Sequence, residues 1–190
     1  MMRAIVLLLF PFTFAASAQQ AEQWRHSLRL GIGAVLITSG DHIGLGNYGE
    51  YAHSFNEHIA IVPRIMSVTA DQEIGYAAYH VSILGGSVAA RFTPFPDLYR
   101  GFKLDLGGTF QRVRTLNTRS EAIAGSAWQI TNSVHNEREH YFGAIGSLSF
   151  GVLQGERLGA GLRLEMITSF RDRSINSEML NAGIFLSVGF

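Results

Sequence analysis

Two kinds of residue group in this chain have the types and spacing to do chemistry. The first is His80-Val81-Ser82. In an extended chain, residues i and i+2 share a face, so an imidazole and a hydroxyl stand side by side. With a carboxylate they would make the minimal set of base and nucleophile. His53-Ser54 offers no such pair, because adjacent strand residues point to opposite faces. The second kind is the charge pair at the same spacing: Lys103 with Asp105, and Arg163 with Glu165. Opposite charges on one side of a sheet suit an ion network, and they need partners or water if that side is enclosed. His26, His42, His58, His135 and His140 show no metal-ligand spacing with acidic neighbours, and there is no cysteine, so no metal and no cofactor is expected. No phosphate loop, dinucleotide fingerprint or basic nucleic-acid surface is present, which argues against a nucleic-acid partner.

The elements that must position these groups are strands. From Met179 to the final Phe190, Leu180, Ala182, Ile184, Leu186, Val188 and Phe190 alternate with Asn181, Gly183, Phe185, Ser187 and Gly189. Period 2 gives a strand one apolar face, whereas a helix would spread those six residues around its circumference. The same alternation recurs from Trp24 to about Thr38, with Leu28, Leu30 and Ile32 opposite Arg29, Gly31 and Gly33. It returns over Tyr79–Phe92, where Arg91 joins the small-residue face, and most clearly over Phe102–Val113. There Phe102, Leu104, Leu106, Gly108 and Phe110 oppose Lys103, Asp105, Gly107, Thr109 and Gln111. His140–Val152 and Leu158–Phe170 complete the clear cases, the latter with Arg163 and Glu165 on its small-residue side. Two weaker segments, Leu45–Ser54 and His58–Thr69, bring the expected number to eight. In the first, Glu50 is expected inward and Tyr51 outward. The second is apolar on both faces, so the pattern does not assign its sides, although Arg64 is a further inward candidate.

Between the strands, residues 39–47, 70–78, 93–101 and 171–178 read as turns or loops, and 55–57 and 154–157 as tight turns. The longest polar stretch is 115–138, within which Ala122–Ile130 suits a short helix or a hairpin extension. Connections thus alternate in kind, with the longest on the side away from the N-terminus.

The first 18 residues have a positive start at Arg3, an apolar run over Ala4–Ala15, and the small-x-small site Ala16-Ser17-Ala18. They read as a secretory signal peptide, too short in its apolar run to span ~30 Å as a helix. The expected mature domain is 19–190. Without Arg3, 14 basic residues face 15 acidic ones, so there is no strong field to recruit a charged polymer.

The alternating final strand ending in Phe190 resembles the C-terminal assembly signal of bacterial outer-membrane β-barrels. The whole set of segments resembles the small eight-stranded type, that of OmpX and the OmpA transmembrane domain. The resemblance implies an all-β fold, an eight-stranded antiparallel up-and-down transmembrane β-barrel, in the outer membrane after export through the periplasm. It implies outer-membrane lipids and the barrel assembly machinery as partners, with an extracellular protein or surface ligand at the outer loops, chiefly 115–138. Phe102 and Phe110, and likewise Phe142 and Phe150, then fall where aromatic girdles belong. Arg29, Glu50, Arg64, Arg91, Lys103, Asp105, Arg163 and Glu165 become a charged lumen, a filling network more than a selectivity ring, since eight strands enclose little more than their own side chains. Leu106 is expected at the hydrocarbon centre, and Gly107, facing the lumen, should accept serine at lower cost unless crowding there is severe. The role implied is structural or interactive. The alternative is a lipid A deacylase-like enzyme using His80 and Ser82 at the outer rim, although the longer motif of that family is absent.

Overall fold

The computed structural model describes residues 25–37, 42–74, 77–96, 101–123, 129–170 and 178–190. The expected signal peptide lies outside them. Eight antiparallel strands follow in chain order: β1 (His26–Ile37), β2 (His42–Ser54), β3 (Ile59–Ile74), β4 (Ala77–Phe92), β5 (Phe102–Ile123), β6 (Gln129–Gln154), β7 (Leu158–Ser169) and β8 (Glu178–Gly189). Each pairs with its sequence neighbour, and β1 also pairs with β8, from Ser27 opposite Gly189 to Ile37 opposite Met179. The sheet is therefore a closed up-and-down barrel without an edge strand to protect.

Closure is completed at the chain's last residue. The amide of Phe190 donates to the His26 carbonyl at 3.0 Å, that of His26 returns a bond to Phe190 at 3.1 Å, and the two rings stack. Proline is accommodated once inside a strand. Pro63 of β3 has no N–H to give, and the β2–β3 ladder skips from Glu50–Arg64 to His53–Ile61 around it.

Several boundaries differ from the sequence expectation. β2 begins at His42, within the expected 39–47 turn, and β3 and β4 take up most of the expected 70–78 loop. The polar stretch 115–138 is not a loop, since β5 and β6 pair continuously from Phe102–Phe150 to Ile123–Gln129. Of the two options for 122–130, the hairpin extension holds for the described residues. Polarity misled here because a strand that has left the bilayer meets water on both faces and loses its alternation.

The four expected girdle aromatics form two cross-strand pairs. Phe102 lies against Phe150 and Phe110 against Phe142, each pair with ring centroids 5.1 Å apart, on facing strands. At Gly107 the crowding is severe. A Cβ there would collide with the carbonyl of Val88 and with the Ala89 Cα, backbone of β4 that cannot swing aside. The strongly coiled wall requires glycine at that point, so serine there is costly.

Candidate functional site

Inside the barrel the strand pairing itself assembles a charged layer. Arg29 of β1 stands opposite Glu50 of β2, and Glu50 opposite Arg64 of β3. Arg91 of β4 stands opposite Asp105 of β5, Asp105 opposite Ser147 of β6, and Ser147 opposite Glu165 of β7. Cross-strand neighbours lie ~5 Å apart, and long arginines then reach past them across the axis.

Glu50 accepts from Arg91 at 2.5 Å, Arg163 at 2.7 Å and Arg64 at 3.1 Å. Asp105 takes the Arg91 Nε at 2.7 Å, Arg163 at 3.1 Å, Arg64 at 3.2 Å and the Ser147 hydroxyl at 3.1 Å. Glu165 is held by Arg163 Nε at 3.0 Å and by Arg64 Nη1. The Tyr48 ring lies beneath two of these guanidinium groups, 4.9 Å from Arg163 and 5.5 Å from Arg64, and its own placement explains why position 31 opposite is glycine. All of these ionised groups are buried. Each carboxylate meets at least two arginines, which is what makes burial of so many charges tolerable.

Seven of the eight expected lumen residues are thus brought together. Lys103 is the exception. It faces inward beside Asp105 but makes no ion pair among the described residues, and it lines a cavity at the barrel end that carries the short turns and Phe190. Arg29 is held more loosely than the other arginines, 3.4 Å from Glu50 with its guanidinium 4.5 Å from the Phe185 ring.

The sequence reading missed the second layer. Toward the opposite end the lumen is filled by Val35, Ile37, Val68, Ile83, Tyr141 and Ile167, part of one buried apolar cluster. Charge fills one half of the lumen, and the other is mainly apolar, with the buried polar side chains of His42, Gln111 and Asn181 opposite Ile37, Tyr141 and Val35. This accounts for Met66 and Val68 on the inward face of β3; Ala60 and Val62 also point inward, while Ile59, Ile61 and Ile65 point out, so both faces look apolar.

The outer wall is the reverse of a soluble protein's surface. Leu30, Ile65, Leu106, Phe142 and Leu186 are each about 70% exposed, within a belt of apolar side chains contributed by every strand. A soluble monomer rarely exposes contiguous apolar area beyond a few hundred Å². No protein-family model matches the chain, and no curated protein does. Solved structures do match. Ail, the attachment invasion locus protein of Yersinia pestis, superposes over 89% of this chain and 100% of its own at TM-score 0.58 and 9% identity, in its complex with the heparin analogue sucrose octasulfate. A second structure of Ail gives TM-score 0.54 at 10% identity with the same coverage.

The fold is that of the eight-stranded outer-membrane β-barrels. At such identities the likeness speaks for the fold alone, and residue roles rest on this chain's geometry.

In this barrel His80 and Ser82 lie on the outward face of β4, at the end away from the short turns. The sequence reading had no carboxylate to put with them. The structure brings Asp71 of β3 opposite His80, with its Oδ1 2.6 Å from the His80 Nδ1. No hydrogen bond joins Ser82 to that imidazole among the described residues. Both partners of the pair are largely exposed.

Proposed function

We propose that this protein is an integral outer-membrane barrel whose work is done at its outer surface, by the β5–β6 hairpin, and not through its lumen. The observation that carries the reading is the height of that hairpin. Among the described residues β7 pairs with β6 up to Gly143–Ser169, with one further bond from the Phe170 amide to the Phe142 carbonyl, and β6 from Gln129 to Tyr141 has β5 as its partner. From Val134 to Arg138 every side chain is exposed. Such a length of paired backbone carries its residues beyond the end of the apolar belt.

Two further points support the reading. The apolar belt suits hydrocarbon, and the two-layer filling leaves no wide passage. Ail, which shares the fold, is named for attachment and is solved with a heparin analogue. By extension, a protein or polyanionic surface is a suitable partner for this hairpin, with outer-membrane lipids around the wall and the barrel assembly machinery acting on it during insertion.

The test is to replace residues 116–136 by a short turn. Cells displaying the shortened barrel should keep a heat-modifiable folded protein but lose binding to immobilised host-matrix proteins and sulfated glycans. Equal binding by both forms would remove the hairpin from the function.

A second reading is favoured by one specific observation, the His80–Asp71 pair with Ser82 on the same outward face. A base oriented by a carboxylate beside a hydroxyl, at lipid-ester height, would suit hydrolysis of a lipid acyl chain. Mass analysis of lipid A from cells expressing the wild type and Ser82→Ala decides it. Identical acylation in the two strains would exclude the hydrolase.

A further inference from the structure

We propose that the barrel end carrying the short turns contains a binding site for a phosphate-type oxyanion, built from Lys103, Arg29 and Arg91. That this end faces the periplasm rests on the outer-membrane reading above; the binding itself does not.

Charge bookkeeping comes first. Among the described residues, five lumen cations, Arg29, Arg64, Arg91, Arg163 and Lys103, stand with three carboxylates, Glu50, Asp105 and Glu165. Arg64, Arg91 and Arg163 occupy those carboxylates through short, well-directed hydrogen bonds. Two cations, Arg29 and Lys103, are left in excess, and both line the same cavity. Lys103 makes no ion pair among the described residues and Arg29 makes only the 3.4 Å contact with Glu50, so both keep donors for a further anion.

Geometry agrees with the charge count. The cavity has a volume of about 80 Å³, room for several atoms of solvent or for one small ion at the ~10–15 Å³ that a single water centre requires. Arg29 is only 5% exposed and lines it, yet its Nε and Nη1 have no hydrogen-bond partner. Arg91 lines it too, with Nη1 free while its other two nitrogens hold Asp105 and Glu50. The hydroxyls of Ser27, Ser187 and Thr93 add neutral donors around the same space. Glu57, on the exposed turn between β2 and β3, is the one carboxylate among the described lining residues. Unused guanidinium N–H groups, an ammonium and hydroxyls converging on a small opening match the several acceptor oxygens of a tetrahedral oxyanion.

Composition sharpens the assignment. Lys103 is the only lysine in a chain with fourteen arginines, since Lys and Arg together number 15. The compact, rotatable ammonium stands at a cavity-lining position outside the ion network, whereas the carboxylate-bridging positions all carry the planar fork.

The single lysine also makes the test clean. Protein methylated with ¹³C-formaldehyde in urea and then refolded in detergent carries one lysine signal, apart from the amino terminus, and that lysine keeps its charge. Inorganic phosphate should move the Lys103 signal saturably. Calorimetry should show phosphate affinity falling about tenfold or more in Lys103→Gln and in Arg29→Gln, the scale of one charge-assisted hydrogen bond. Lys103→Arg should restore much of it. Acetate tests whether a carboxylate suffices. Competition by dihexanoyl phosphatidylglycerol would identify the source as a lipid headgroup, and its absence a free oxyanion. A Lys103 signal that phosphate leaves in place, in protein running at the folded position on a gel, overturns the proposal. So does equal phosphate affinity in wild type and folded Lys103→Gln.

Discussion

Arg163 of β7 donates to Glu50 of β2 at 2.7 Å, although 113 residues separate them in the chain. The bond spans the lumen, and through Glu50 it is shared with Arg64 and Arg91. Four strands are thereby tied by one carboxylate.

That sharing makes Glu50 the position where a small change should cost most. Glu50→Gln keeps the volume but leaves the arginines around it without their counter-charge. Removing one partner of a buried ion pair costs roughly 3–5 kcal/mol. Urea unfolding of barrel refolded in lipid vesicles should show a loss of that size. The double variant Glu50→Gln/Arg163→Met should lose less than the sum of the two single changes. A loss below about 1 kcal/mol for Glu50→Gln would mean water already screens the network.

The lumen should be electrically quiet. Its charged layer is interlocked and its second layer is mainly apolar, with Tyr141, Ile37 and Ile83 essentially inaccessible. Planar bilayers containing the purified barrel should show no stable open level. Conductance on the scale of a sixteen-stranded porin would contradict the filling described above.

Sidedness can be read on β5. Leu106, 72% exposed, faces outward midway between Phe102 and Phe110. Leu106→Arg should destabilise the barrel by roughly 2–4 kcal/mol in vesicles, the cost of a charge at mid-bilayer on a lipid face. Cysteines at 104, 106 and 108 should react with a lipid-confined probe, and one at 105 should not. Uniform labelling would refute a membrane-facing wall.

Deleting Phe190 removes two backbone bonds to His26 and a ring stack at the seam where β8 meets β1. The amount of heat-modifiable protein in the outer membrane should fall. Undiminished folded protein would show that the seam closes without this residue and that it is no assembly signal.

Much of the architecture was legible because membrane and lumen impose opposite demands on alternate residues. Along β1, β4, the lower parts of β5 and β6, and β7 and β8, that contrast marks most side chains' faces. β3 escaped because Met66, Val68 and Ala70 belong to the apolar cluster and Ala60 and Val62 are apolar too, so both faces are apolar. The upper parts of β5 and β6 escaped for the converse reason, both faces there being polar.

The sequence by itself determined the strand-rich class, the sides of the clear strands and the identity of the inward charges, since these follow from period 2 and residue type. Only the tertiary structure decided which charges meet. Arg163–Glu165 could be read from local spacing, but Arg163–Glu50, Arg91–Asp105 and Asp71–His80 depend on register and on closure of the sheet. The same holds for Lys103, grouped by spacing with Asp105 yet left out of the network. Pairing in a barrel is fixed by the stagger of whole strands and by the reach of side chains across the axis. Neither quantity is a property of any one stretch of chain.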